Sequence, residues 1–292
     1  MAGGAHLIRR EVVASPEGEF VLLLEEEDLS SIYPRLKRYS LTLEKDGSVL
    51  ATFRTNTYEY GPLDPLRARS VLDRKAAGWS GALRENPHEF LTRISQKTKG
   101  TVVSEMEPDV VIIQGSPRGD GNSSILAAWA KEEATAQEKT VEVIYPHDMN
   151  ISPCIGCYQC YNTGTCTFRD DMIRTIDAVR HCRLLVVCTP VYTNTVPGGL
   201  KVMIDRFQAF HAERTIIAPE GDSQAGGVLL AVAGRKGLEN FTCVQKVVGP
   251  FMRNIGIEPR GEVLVDGTDE TGDIRQVPGL EIRVKALVRS LL

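Results

Sequence analysis

Four of the seven cysteines crowd into one short segment, Cys154-Ile-Gly-Cys157-Tyr-Gln-Cys160-Tyr-Asn-Thr-Gly-Thr-Cys166, spaced C-x2-C-x2-C-x5-C. Three thiolates two residues apart can wrap three irons of a cube. The fourth, reached through a Gly-containing bend, can meet the remaining iron, so the spacing suits a closed [4Fe–4S] site. Zinc also accepts four thiolates, but its usual sites join two separated C-x2-C hooks, whereas this span is compact. Thiols kept only for packing or redox are the third reading, and the residues leave cluster, zinc and no metal open. An odd number of cysteines behind an N-terminus without a secretory pattern argues against a disulfide framework. Cys182, Cys188 and Cys243 stand among apolar neighbours and read as core residues.

A second constellation is Gly115-Ser-Pro-Arg-Gly-Asp-Gly-Asn-Ser-Ser124, placed between an apolar run and an amphipathic stretch. Glycines, Gly121 among them, allow a tight turn. Ser116, Asn122, Ser123 and Ser124 offer polar donors beside the unsatisfied N–H groups of a helix start, and Arg118 can add a charge-assisted contact, so a phosphate would be well held. No Lys-Ser or Lys-Thr follows the glycines and no G-x-G-x-x-G is present, which disfavours a triphosphate or a dinucleotide. A Gly/Ser turn without ligand is the bland alternative.

These loops need elements to position them. From Pro108 onward short apolar runs alternate with amphipathic stretches, the pattern of a parallel sheet with crossover helices. Strands are expected at 110–114, 140–145, 184–188, 228–232 and 261–265. Leu200, Met203, Ile204 and Phe207 form one helical stripe. Asp170 or Asp171 can cap a helix carrying Met172, Ile173, Ile176 and Val179, and further helices are expected over about 238–255 and 280–292. The fold class is therefore α/β, a five-stranded doubly wound parallel sheet over 108–292 with the cysteine loop 154–166 inside it. Such sheets bind ligands at the carboxyl ends of their strands.

Residues 1–107 read as a smaller α+β domain. Its best element is a hairpin of 38–44 and 49–57 turned at Asp46-Gly47, with short helices near 65–75 and 87–98. The acidic run 25–28 is expected as a solvated turn, and Tyr58, Tyr60 and Trp79 as packing residues. His147, His181 and His211 lack a partner motif and read as structural or surface groups.

With a net charge of −4 the chain has no concentrated cationic face, so nucleic acid and anionic membrane are poor partners. No apolar run approaches spanning length, and a soluble, cytoplasmic protein is the expectation.

After the third expected strand comes Thr189-Pro-Val-Tyr-Thr-Asn-Thr-Val-Pro-Gly-Gly-Leu-Lys-Val-Met-Ile-Asp-Arg-Phe207. With the Gly-Ser-Pro-Arg loop, this segment resembles the NADPH-dependent FMN reductase branch of the flavodoxin-like proteins over about 108–292. The compact cysteine motif is similar to that of the iron–sulfur flavoproteins within this branch. The resemblance implies FMN, its phosphate in the first loop and its ring against Pro190, Val191, Tyr192, Thr193 and Asn194, with Ala233 and Gly234 closing the site. It implies a [4Fe–4S] cluster on Cys154, Cys157, Cys160 and Cys166, near the flavin. It also implies a ferredoxin-like donor or NAD(P)H, a small-molecule acceptor and a homo-oligomer. No residue is assigned a catalytic acid–base role, because the cofactors carry the chemistry. Two alternatives stand beside this redox enzyme: a cluster-free NAD(P)H-dependent FMN or quinone reductase, and a non-enzymatic flavin electron carrier or redox sensor. Asp205 and Arg206 are read as a structural helix ion pair. Tyr158 and Tyr161 are read as packing residues.

Overall fold

The computed structural model describes residues 5–60, 66–97, 107–219 and 225–292. In chain order the elements are β1 (His6–Ser15), β2 (Gly18–Asp28), β3 (Lys37–Lys45), β4 (Ser48–Asn56), α1 (Arg67–Glu85), α2 (Pro87–Lys97), β5 (Val110–Gln114), α3 (Asn122–Ala136) and β6 (Val141–Ile144). They continue as α4 (Cys160–Thr163), α5 (Met172–His181), β7 (Leu184–Pro190), α6 (Gly198–Arg206), α7 (Gln208–Ala212), β8 (Gly226–Val232), α8 (Thr242–Asn254), β9 (Glu258–Val265), α9 (Thr268–Thr271) and α10 (Leu280–Arg289). They fall into two compact units: Met1–Val102 with Gly156–Thr167 and Thr215–Pro219, and Val103–Ile155 with Phe168–Arg214 and Glu220–Leu292. Among the described residues no helix is long and apolar enough to cross a membrane.

In the second unit five parallel strands lie in the order β6-β5-β7-β8-β9. Central strands covered on both faces are apolar throughout, and β5, Val-Val-Ile-Ile-Gln, is buried at every residue. Alternation sends Val111, Ile113, Leu185 and Val187 into a core shared with α5, α6 and α8. Their neighbours Val110, Ile112, Leu184 and Val186 pack against α3 and α10. The five-stranded α/β reading is the observed architecture; β9 begins three residues earlier than expected, at Glu258. Strand order reverses between β5 and β7, which opens a crevice at their carboxyl ends.

The first unit contains an antiparallel meander, β1-β2-β3-β4. Leu72, Ala76, Trp79 and Leu83 of α1 cover Phe20, Leu22, Leu24, Leu41 and Leu43 on one face. The expected hairpin is β3–β4, turned at Asp46 and Gly47 with φ of 51° and 78°, the left-handed pair a tight turn needs. The run 25–28 is not a solvated turn. It ends β2, where Glu26 faces Lys37 at 2.6 Å and Glu27 faces Arg38 at 2.5 Å across to β3. Cross-strand cations allow four acids to continue a strand. Helix α1 extends to Glu85, beyond the short helix expected; Pro62, Pro65 and Thr98 lie outside the described residues. Residues 156–167, placed by the sequence reading in the α/β portion, make their contacts within this first unit.

Candidate functional site

A cavity of about 750 Å³ lies in the second unit, lined from the loops that follow β5, β7, β8 and β9. That volume is in the range of small-molecule sites. At one side β5 ends in Gly115, whose N–H donates to the Cys188 carbonyl at 2.8 Å. A Cβ at Gly115 would meet Leu200 at 2.7 Å, so any other residue would have to displace that buried side chain of α6. The turn then feeds α3, whose N-cap Gly121 supplies no side-chain cap. Gly121, Asn122 and Ser123, at the start of this helix where N–H groups lack intrahelical partners, line the cavity.

The polar side chains here divide into two sets. Ser124 is committed to the loop: its hydroxyl donates to the Arg118 carbonyl at 2.7 Å and contacts Gln114. Asn122 bridges to the far segment, donating to the Gly272 carbonyl at 3.0 Å and accepting from the Ile274 N–H at 3.2 Å. Asn122 lines the cavity while it makes this bridge, whereas Ser124 is not part of the lining. Ser116 accepts from the Arg118 N–H at 3.1 Å, and Ser116, Ser123 and Arg118 line the cavity.

Opposite, Pro190, Val191, Tyr192, Thr193 and Asn194 all line the cavity. Val191 is pinned by its N–H on the Val232 carbonyl at 2.8 Å. Tyr192 and Thr195 exchange N–H···O bonds of 2.8 and 3.0 Å around Thr193 and Asn194, whose φ are 43° and 67°. A β-branched threonine in the left-handed region stores strain of roughly 1 to 2 kcal/mol, which the surrounding bonds hold in place. Asn194 is oriented by a contact from Nδ2 to Cys243 Sγ at 3.7 Å.

Ala233 and Gly234 complete the lining, and a Cβ at Gly234 would run into the Asp269 carboxylate. Val232, Arg235, Asn240, Thr268 and Asp269 also line the cavity and were not singled out in the sequence. The signal for them was positional: each follows, or ends, a strand at its carboxyl end. Thr268 Oγ1 donates to the Ala233 carbonyl at 3.2 Å, tying the last two loops together.

The cysteines behave differently from one another. Cys182 and Cys188 are buried, and burial pushes the Cys182 thiol up to about 12 and that of Cys188 higher still. Cys243 is half-buried near the start of α8, not a core residue. Cys154 is exposed, and Cys157, Cys160 and Cys166 are half-buried. Among the described residues no three His, Cys, Asp or Glu side chains are gathered closely enough to hold a metal ion. Both feet of the cysteine loop are clamped in the second unit. Arg206 Nη1 donates to the Ser152 carbonyl at 2.5 Å and to Asp170 Oδ2 at 2.6 Å, and Nη2 to Asp170 Oδ1 at 2.9 Å. The two side chains are only 1% and 7% exposed. Burial alone would raise the Asp170 carboxyl, but the Arg206 fork and the Ser152 and Met172 N–H groups hold it below the usual carboxylate range. Asp205 is not Arg206's partner; it pairs on the surface with Lys201 at 2.7 Å.

Residues 108–256 match the family described as NADPH-dependent FMN reductase. An iron–sulfur flavoprotein of Methanocaldococcus jannaschii is 29% identical over 136 residues, 47% of this chain and 68% of the relative. Two from Archaeoglobus fulgidus are each 30% identical, one over 51% of this chain and 74% of the relative, the other over 42% and 53%. The chain thus spans between about half and three quarters of these relatives. Among solved structures, an NAD(P)H:quinone oxidoreductase from Methanothermobacter marburgensis superposes with a TM-score of 0.50 at 16% identity, over 64% of this chain and 96% of that one. At that identity the likeness speaks for the flavodoxin-like fold.

Proposed function

Because the chain belongs to the NADPH-dependent FMN reductase family and is an FMN-dependent oxidoreductase, we propose that it also carries a [4Fe–4S] cluster on Cys154, Cys157, Cys160 and Cys166 and passes electrons between that cluster, FMN and a small acceptor. The observation that carries this reading is a compact set of four unbridged thiols, in a chain similar to iron–sulfur flavoproteins. Four thiolates are the donor set such a cluster takes. Since the thiols are not gathered beforehand, metal binding would have to draw them together.

The cavity's chemistry fits FMN. Backbone N–H groups at Gly121, Asn122 and Ser123, the Ser116 hydroxyl and Arg118 would hold the phosphate. Pro190, Val191, Tyr192, Thr193 and Asn194, with Ala233 and Gly234, are the lining residues that would hold the ring. FMN exchanges one or two electrons and the cluster one, so together they couple one-electron and two-electron reagents. The protein's share is orientation, burial and hydrogen bonding, without an acid–base residue. A ferredoxin-like protein or NAD(P)H is the donor this pairing accepts.

A second reading, a cluster-free NAD(P)H-dependent FMN or quinone reductase, is favoured by the ungathered thiols. Anaerobic purification with counts of FMN, iron and acid-labile sulfide per chain separates the two. The first predicts four irons and four sulfides beside one flavin, and slow bleaching by NADPH alone. Iron and sulfide near zero after reconstitution, with rapid bleaching by NADPH, would establish the second.

A further inference from the structure

The family match begins at residue 108 and gives the preceding sheet no task. We propose that this first unit is the scaffold that sets the cysteine loop for metal binding, with Asn56 and Glu59 as its positioning residues; the metal part of this inference rests on the cluster reading above. The contacts concentrate at one place, the end of β4. Asn56 is fully buried there and uses its whole side chain: Nδ2 donates to the Tyr158 carbonyl at 3.1 Å and to Asn162 Oδ1 at 2.9 Å, while Oδ1 accepts from the Tyr58 N–H at 2.9 Å. Glu59 accepts from Asn162 Nδ2 at 2.6 Å, from Gln159 Nε2, and from the Asn56 N–H at 2.7 Å.

Two guanidinium groups complete the grip. Arg54 donates to the Asn162 carbonyl at 3.1 Å and Arg38 to the Tyr161 carbonyl at 3.3 Å, with Arg38 itself fixed by Glu27. They satisfy carbonyls at the end of α4, a helix of four residues that has too few internal bonds to persist alone. Tyr33 and Tyr58 pack against Tyr161 and Tyr158, each pair with ring centroids 5.3 Å apart.

The pattern separates gripping from simple packing. Held residues are Tyr158, Gln159, Tyr161 and Asn162, which alternate with the thiols of Cys157 and Cys160. A buried polar network of this kind contributes little net stability compared with apolar packing but fixes one register, since a slipped loop would leave Asn56 and Glu59 unsatisfied. Burial accordingly pushes the Glu59 carboxyl up, against the hydrogen bonds that favour its charged form.

The test uses the full chain freed of metal and iodoacetamide as probe. Labelling of Cys157, Cys160 and Cys166 is followed by mass spectrometry, with Cys243 in the other unit as reference. Asn56→Ala and Glu59→Ala should speed labelling of the loop thiols relative to Cys243 by about tenfold or more. They should also lower iron and sulfide uptake on reconstitution while FMN per chain stays at the wild-type value. Glu59→Gln, which keeps an acceptor for Asn56 and Asn162, should restore near wild-type behaviour, and Asn162→Ala should reproduce the loss from the loop side. Wild-type labelling and uptake in the alanine variants would overturn the proposal. So would equal acceleration at Cys243, because the residues would then support the fold at large. A wild-type chain that takes up no iron would defeat the cluster reading, and the labelling ratios would still decide the scaffold.

Discussion

The cavity at the ends of β5 and β7 takes its shape from main chain: a glycine too close to α6 for a side chain, a helix start without a cap, and a turn held by paired N–H···O bonds. The cysteine loop takes its shape from side chains, with Arg206 and Asp170 at its feet and Asn56 and Glu59 along its middle. A site written in backbone is formed before its ligand arrives. A site written in side chains can bring its residues near without bringing the thiols together, as here. The contrast suits the proposed pairing, in which FMN would enter a preformed cavity whereas a cluster would be built in place.

The sharpest way to break the comparison is to cut the loop's feet. Asp170→Ala leaves Arg206 buried without its carboxylate and should cost about 3 to 5 kcal/mol, read as a lower denaturant midpoint at unchanged slope. An unchanged midpoint would show that the loop needs no clamp. Next is Gly115→Ala, which should cost about 1 to 3 kcal/mol through the clash with Leu200 and release FMN more readily on gel filtration.

A titration sharpens the same point. The folded Asp170 carboxyl sits below its ordinary value of 3.8, so its contribution is present above that pH and is lost as pH falls through the lower folded value. Wild type should therefore lose stability more steeply than Asp170→Asn below pH of about 4, measured by thermal unfolding across pH. The smallest effect belongs to the surface: Asp205→Ala removes an exposed pair with Lys201 and should change stability by less than about 0.5 kcal/mol with FMN content unaltered.

The sequence was most legible where one physical rule acts alone. Buried parallel strands are continuous apolar runs, so β5, β7 and β8 stand out, and the glycines after β5 mark the turn into α3. It was least legible where partners come from afar. Nothing local in Glu25-Glu-Glu-Asp28 announces a strand, because Lys37 and Arg38 on the neighbouring strand make it one. Asn122 was singled out for its place at the start of a helix, but its bonds to Gly272 and Ile274, far along the chain, could not be foreseen. Arg206 looked paired within its helix, and Asp170 lies beyond the reach of periodicity. Arg235, Asn240 and Asp269 joined the cavity through strand order, which the alternation of elements implied but did not assign to residues.

The most direct measurement compares FMN with riboflavin, the same ring without its phosphate, by titrating each into the flavin-free chain. Charge-assisted hydrogen bonds from the start of α3 and Arg118 predict one FMN per chain, held at least about a hundredfold more tightly than riboflavin. Equal affinity for the two, or no retention of FMN, would contradict a helix-start cavity that seizes the phosphate.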